Sequence, residues 1–259
     1  QKTNFRIPNN NLKSAHKNAT YEIEGQKITL VNGRAETEIA PGSASKTITQ
    51  YFGNDVIGDL NSDGAADIAF LLTQNSGGSG TFYYVVVALK SNGGYQGTNA
   101  ILLGDRIAPQ TLEIKNETLI ANYAERKPDE PITTQPSLNK SEYLFIKDAK
   151  LVETPIFIES PQKDSYISSP LKVTGVAKGN WFFEATFPIV LTDWDGKIIA
   201  QHFAQAKSDW MTTDFVPFEG TLEFEKPVYG ERGFLILKKD NPSGLAEHDD
   251  SREIPIFFK

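Results

Sequence analysis

The sequence has 259 residues, of which 39% are hydrophobic and 23% are charged, and this composition is typical of soluble globular domains rather than of disordered or fibrous chains. The net charge is -7 and the 26 lysines and arginines are scattered among 33 acidic residues, which argues against nucleic acid as a partner. The sequence contains no cysteine, which excludes disulfides, thiolate zinc sites and a cysteine nucleophile. No apolar run approaches the roughly 20 residues that a membrane-spanning helix needs.

The beginning of the chain is polar, rich in asparagine and without apolar periodicity. Residues 1–19 are therefore predicted to be a flexible lead or linker. The numbering opens at Gln1 rather than at a methionine, which is compatible with the removal of a leader. His16 falls in this lead and is expected to be solvated.

Residues 20–152 alternate between short apolar segments and turn signals. Turns are indicated at Glu24-Gly25 and Asn32-Gly33, and the β-branched and aromatic residues of Thr81–Leu89 predict a central strand. The proline-rich segment Lys127–Pro136 is expected to be an extended loop. No window shows the 3.6-residue period of an amphipathic helix, so this region is predicted to be an all-β domain.

One loop of this domain carries the sharpest chemical signal in the sequence. It reads Asp59-Leu60-Asn61-Ser62-Asp63-Gly64-Ala65-Ala66-Asp67, with side-chain oxygens at positions 1, 3, 5 and 9 and glycine at position 6. Calcium loops use carboxylate and amide oxygens at such spacings, a backbone carbonyl at position 7 and a glycine at the sharp turn. The sequence therefore predicts Ca²⁺ bound by Asp59, Asn61, Asp63, Asp67 and the Ala65 carbonyl. The alternative is an Asx-rich turn that folds without metal.

The context of this loop excludes an EF-hand, because position 12 is Phe70 rather than glutamate and strands are expected on both sides. The segment Phe52–Leu71 (FGNDVIGDLNSDGAADIAFL) resembles the FG-GAP calcium loops of integrin-type propellers. That resemblance implies a pair of strands around the ion. A propeller needs several such repeats and one is present, so only the local hairpin is implied.

The composition changes near Leu151–Pro155, and residues 153–259 are predicted to be a second domain. Strands and turns follow each other at a spacing of roughly 8–12 residues, and Asp195-Gly196 between two apolar runs indicates a hairpin. About seven short strands predict an immunoglobulin-like β-sandwich. This region resembles the immunoglobulin-like domain of bacterial spore germination proteins, which implies an extracytoplasmic, non-catalytic accessory module. The segments that carry the resemblance are Ser169–Gly179, Phe182–Ile199, Trp210–Phe218, FLILKKDNPSG and EIPIFF.

Catalytic constellations are not evident in the sequence. His16, His202 and His248 lie far apart and none has the spacing of a zinc site. No Gly-x-Ser-x-Gly nucleophile elbow is present. The sequence does not exclude a glycosidase-like pair of carboxylates, because the two residues can come from distant strands. We therefore expect a protein that is not an enzyme.

The three tryptophans are candidate ligand-binding residues. Exposed tryptophan on a loop can stack on a sugar ring or dock a protein, and Trp194 falls at the predicted hairpin tip. The alternative, which we favour, is that Trp181, Trp194 and Trp210 plug the ends of the sandwich.

Taken together, these features predict a non-enzymatic, calcium-stabilised bacterial envelope protein that presents a binding surface to cell wall, glycan or an envelope protein. The alternative is an envelope enzyme, or a regulator of one such as a wall hydrolase, acting through the first domain. A structural spacer is a third reading. A deep pocket with convergent titratable groups favours an enzyme, and a flat aromatic patch favours a binder.

Overall fold

The structure is a computed structural model that describes residues 14–228 and 230–259. Strands dominate, and within these two ranges the helical segments are three short 3₁₀ turns at Ala15–Asn18, Gly179–Trp181 and Ala246–His248. The predicted all-β fold class is thereby confirmed. In the same ranges no helix has the length and apolar character needed to cross a membrane. Contacts between Cα atoms divide the chain into two compact units between Glu153 and Thr154.

From residue 14 onward, where the structure describes it, the first unit contains three groups of strands. A hairpin of β1 and β2 forms a two-stranded sheet, a larger sheet has the order β3-β4-β5-β6-β7 with β8 also paired to β6, and a third sheet has the order β12-β11-β10-β9. The strand predicted at Thr81–Leu89 is therefore central, because β6 has neighbours on both edges. The bounds are β1 (Thr20–Ile23), β2 (Gln26–Thr29), β3 (Arg34–Glu38), β4 (Lys46–Gly58), β5 (Asp67–Asn75), β6 (Phe82–Ser91), β7 (Gly94–Gly97), β8 (Ile101–Asp105), β9 (Ala108–Lys115), β10 (Thr118–Glu125), β11 (Leu138–Lys147) and β12 (Lys150–Glu153).

The middle strand β5 is buried on both faces, which explains why its sequence is a continuous apolar run rather than an alternating one. Successive side chains of a strand point to opposite faces. The even-numbered residues of Ile68–Leu72 pack in a core with β1 and β2, and the odd-numbered residues pack in a second core with β10 and β11. The loop that precedes β5 is consequently attached to the most buried strand of the unit.

The prediction of a flexible lead is wrong for residues 14–19, and residues 1–13 lie outside the described part of the chain. His16 is only 1% exposed, although a solvated side chain was expected. A single 3₁₀ turn is too short to produce a periodic apolar pattern in the sequence. The burial of His16 comes entirely from tertiary packing, which local sequence does not show. Its imidazole contacts three aromatic rings at centroid distances of 5.1–6.3 Å, those of Phe70, Tyr51 and Tyr95.

The second unit is an immunoglobulin-like sandwich of eight strands, in the hydrogen-bonded order β13-β15-β18-β17-β16-β19-β20-β14. The contact between β18 and β17 consists of only two register pairs, Gln205 with Glu219 and Ala206 with Phe218. At this corner one sheet (β13, β15, β18) passes into the other (β17, β16, β19, β20, β14). The bounds are β13 (Ile156–Ser160), β14 (Ser165–Ile167), β15 (Leu171–Lys178), β16 (Thr186–Asp193), β17 (Ile198–Ala206), β18 (Phe215–Leu222), β19 (Arg232–Lys238) and β20 (Ser251–Phe258).

The eighth strand arises because the first edge strand is divided. β13 pairs with β15 antiparallel, whereas β14 pairs with β20 in parallel. Alternate residues of Leu171–Val176, Phe187–Leu191 and Phe234–Leu237 enter one shared core.

Candidate functional site

The predicted calcium loop joins the antiparallel strands β4 and β5, so the expected hairpin is present. Asp67 is the first residue of β5 and its side chain is inaccessible to solvent. Its carboxylate accepts the N–H of Leu60 at 3.0 Å and the N–H of Lys90, in β6, at 2.8 Å. Asp67 therefore ties the base of the loop to the sheet.

Backbone N–H groups orient the other polar side chains of the loop. Gly64 N–H donates to Asp59 Oδ2 at 2.9 Å, and Asp63 N–H donates to Asn61 Oδ1 at 3.1 Å. Ala65 N–H donates to Asp63 Oδ1 at 2.8 Å. Gly64 has a φ of 81°, a conformation that glycine adopts without steric cost, and it makes the turn that the sequence predicted.

One carboxylate oxygen of the loop is left without a partner. Asp59 Oδ1 is buried and accepts no hydrogen bond. A buried acceptor in this state costs free energy, because it has lost its water and gained nothing in return. A cation at this oxygen would compensate for the loss.

The carboxylates of the loop also act on one another. Burial raises the pKa of Asp67, and the charges of Asp63 and Asp59 raise it further, while the N–H groups of Lys90 and Leu60 oppose the shift. The loop is thus a region of unfavourable negative potential, and its oxygen donors are those that Ca²⁺ prefers.

The arrangement does not amount to an assembled metal centre. Within residues 14–228 and 230–259, no three side chains of His, Cys, Asp or Glu converge in a group that could hold a metal ion. Asp59, Asn61 and Asp63 lie in one turn, but both oxygens of Asp67 are engaged by backbone N–H groups. The calcium site, including the Ala65 carbonyl, therefore stays a prediction. The types of oxygen donor in the loop suit Ca²⁺, but the described residues do not bring them together around one point.

Sequence reasoning missed Glu117 as a neighbour of this loop. The Ser62 hydroxyl donates to Glu117 Oε1 at 2.6 Å, and Glu117 lies in the turn between β9 and β10. Its proximity to the loop depends on how two sheets pack, and no local motif carries that information.

The three tryptophans do not form one binding patch. Trp181 is 1% exposed and lies in the core, with its ring 5.9 Å from that of Phe187, so its prediction as a ligand-binding residue is wrong and its role as a core plug is correct. Trp210 packs partly buried against the same core. Trp194 is 60% exposed at the tip between β16 and β17, where its indole lies against Gly230.

The remaining histidines are exposed. His202 is exposed in β17, and His248 is exposed beside Glu247 at 3.8 Å. Neither contacts a nucleophilic side chain in the hydrogen bonds of the described residues.

Comparison with known proteins bears on the second unit alone. The FG-GAP resemblance of residues 52–71 stays a prediction. No curated protein and no solved structure matched the chain. Residues 155–245 match the family model of the immunoglobulin-like domain of bacterial spore germination (Gmad2), and the C-terminal region is therefore similar to that family, as its sequence predicted.

Proposed function

We propose that the protein is a non-enzymatic binding protein of the bacterial envelope, stabilised by calcium in its first unit, whose immunoglobulin-like unit presents a surface to cell wall, glycan or another envelope protein. The observation that carries this proposal is the match of residues 155–245 to an immunoglobulin-like domain of bacterial spore germination. It supports an extracytoplasmic location and an accessory, non-catalytic role.

The surface of the second unit supports a binding role. Large apolar side chains are exposed on it, and contiguous exposed apolar surface marks sites of interaction. Tyr166 is 59% exposed and its ring lies 5.4 Å from that of Phe257, while Trp194 is 60% exposed at a separate hairpin tip. Aromatic side chains of this kind are the groups that contribute most to protein interfaces.

Calcium would have a structural role in this proposal. Asp59, Asn61 and Asp63 would hold the ion with the Ala65 carbonyl, and Asp67 would anchor the loop. The bound ion would neutralise the mutual repulsion of the carboxylates. Backbone N–H groups of the loop orient the donors, and the Leu60 N–H ties the loop to Asp67 of β5. These hydrogen bonds form without any ligand.

Binding to isolated bacterial cell walls tests the proposal directly. We expect the full chain to sediment with walls, and Trp194→Ala to weaken the association by about tenfold, as for an aromatic contact at the centre of an interface. Met211→Ala is the matched control, because Met211 is 77% exposed at another place on the unit. Wild-type protein that stays in the supernatant at all wall concentrations would contradict the proposed function.

A further inference from the structure

Strand β17 has an open hydrogen-bonding edge. It pairs with β16 from Ile198 to Gln205, but among the described residues its other edge is in register with β18 only at Gln205 and Ala206. Gly220 of β18 also lies beside Phe203 and Ala204, so the open part of the edge is the beginning of the strand, up to Gln201. Phe203 lies opposite Pro188, which has no N–H to exchange, and the Phe203 N–H turns away from β16 to donate to His202 Nδ1 at 2.6 Å. Since donors and acceptors alternate with a period of two along an antiparallel strand, the N–H and C=O of Gln201 point to the same open edge.

The sequence of β17 lacks the charged side chains that usually protect such an edge. Its nine residues, IIAQHFAQA, include no lysine, arginine, aspartate or glutamate. By contrast, the edge strand β3 carries Arg34 and Glu36, and Glu36 also pairs with Lys46 at 3.0 Å. Exposed edges without such charges are templates for another strand.

A groove runs beside this edge. It has a volume of about 750 Å³, and Ile198 and Ile199 of β17 form one wall. Its other wall is the segment Glu223–Val228, which follows β18 and forms no strand. Ile198 is 55% exposed and Val228 is 87% exposed, so apolar surface on both walls is accessible.

The charges around the groove balance. Two lysines, Lys197 and Lys226, stand with two glutamates, Glu223 and Glu225. A partner that lies in the groove therefore gains nothing from a net charge of either sign, and charge complementarity favours an uncharged apolar segment.

We infer that the groove between β17 and Glu223–Val228 binds an extended, uncharged segment of a partner protein, which adds as a strand to the β17 edge at Gln201. Main-chain hydrogen bonds supply affinity in this mode, and alternate side chains of the partner occupy the groove. This inference rests on the proposed function and makes the partner a polypeptide. A glycan would need a flat aromatic platform, whereas Trp181 is buried in the core and Phe224 is the one aromatic side chain among the described residues that line the groove.

The test uses a displayed library of 12-residue peptides selected on the full chain. Gln201→Pro removes the open-edge N–H without removing a bond to β16, and Gln201→Ala is the control that keeps it. We expect recovered peptides to bind the Ala variant as they bind the wild type, and to bind the Pro variant about fivefold to tenfold more weakly, the equivalent of one lost hydrogen bond. Equal binding to all three proteins, or the recovery of no peptide, would overturn the inference.

Two further measurements separate this inference from the proposed function and from self-association. The full chain should no longer bind walls that have been treated with protease. Binding that persists after this treatment would overturn a polypeptide partner but would leave the proposed function standing. Light scattering should show a monomer. A dimer that Gln201→Pro dissociates would overturn the inference by making a second copy the occupant of the edge.

Discussion

Asp59 is the residue on which the calcium hypothesis depends most. Its Oδ2 is held by Gly64 N–H, and its buried Oδ1 has no partner, so the side chain is fixed in place with one oxygen free for a cation. Oxygen spacing predicted this donor from the sequence. What spacing could not predict is that Asp67 would be engaged by two N–H groups, one from Leu60 in the loop and one from Lys90 in β6.

Calorimetric titration with CaCl₂ tests the donor set. We expect the wild type to bind Ca²⁺ and Asp59→Asn to bind it at least about tenfold more weakly, because one anionic ligand is lost. Asp148→Asn is the control, since Asp148 is an exposed aspartate in the turn between β11 and β12. Equal binding heats for the wild type and Asp59→Asn would show that Asp59 is not a ligand, and no binding heat for the wild type would show that the loop is an Asx-rich turn without metal.

Removal of calcium should lower the melting temperature of the first unit. An ion that binds only the folded state stabilises it by about 2.7 kcal/mol at a hundredfold excess over its Kd. Differential scanning calorimetry before and after EDTA, with metal analysis of both samples, measures the change. An unchanged transition in protein shown to be free of calcium would contradict the structural role.

His16 makes the stability of the first unit dependent on pH. Burial lowers the pKa of His16 below its usual 6.5, the carboxylate of Asp55 opposes this shift, and Lys17 adds to it. Both ring nitrogens are buried without a hydrogen bond. The folded state resists protonation of His16. The contribution of the neutral imidazole to the stability of the first unit is therefore fully present above pH 6.5 and is lost progressively as the pH falls below that value.

Thermal unfolding at pH 7.5 and pH 5.5 checks this prediction. We expect a lower melting temperature at the acidic pH for the wild type, and a smaller decrease for His16→Phe, which fills the aromatic cage but cannot ionise. His202→Phe, at an exposed histidine, should behave as the wild type. Equal decreases in all three proteins would assign the effect to other groups.

At the scale of single elements, β7 and β1 approach each other through a glycine. A Cβ added at Gly97 would lie 2.2 Å from the Thr20 carbonyl oxygen and 2.6 Å from the Tyr21 ring. Both of these atoms belong to β1, which pairs with β2 over the core that contains His16 and Phe70. The absence of a side chain at Gly97 is therefore what permits the hairpin to reach the sheet.

Gly97→Ala should destabilise the first unit by about 1–3 kcal/mol, the usual cost of overpacking. Gly93→Ala is the matched control, since a Cβ at Gly93 meets nothing within 4 Å. Urea unfolding of the two variants measures the difference. Equal midpoints would show that β1 moves away without cost.

Element types were predictable where the signal was local. Glu24-Gly25 is a two-residue turn with both φ angles positive, at 49° and 78°, and the sequence indicated it as a hairpin. Lys127–Pro136 is a loop between β10 and β11, as its prolines indicated. The division of the first edge strand into β13 and β14 was not predictable, because it depends on which sheet each half meets.

At the scale of the whole molecule, the second unit has its own core, which contains 20 buried apolar residues among those that the structure describes. The sequence placed a change of composition at Leu151–Pro155, and the contacts divide between Glu153 and Thr154. The packing of the three groups of strands in the first unit could not be predicted from the sequence. β5 is buried on both faces, so it lacks the alternation of polar and apolar residues that indicates which face of a strand is covered.

Residues 154–259 should fold without the first unit, because a domain of about 100 residues can bury enough apolar surface for independent stability. We expect the expressed fragment to unfold in one cooperative transition and to resist limited proteolysis. A fragment that is protease-labile and has no thermal transition would show that the second unit requires the first.

The parallel pairing of β14 with β20 has a mechanical consequence. β14 lies near the beginning of the second unit and β20 at its end, and three register pairs join them. A pull applied between the two ends of the unit runs along these strands in opposite directions, so their hydrogen bonds are loaded together in shear rather than opened one at a time. A domain with this connection transmits tension along the chain before it yields.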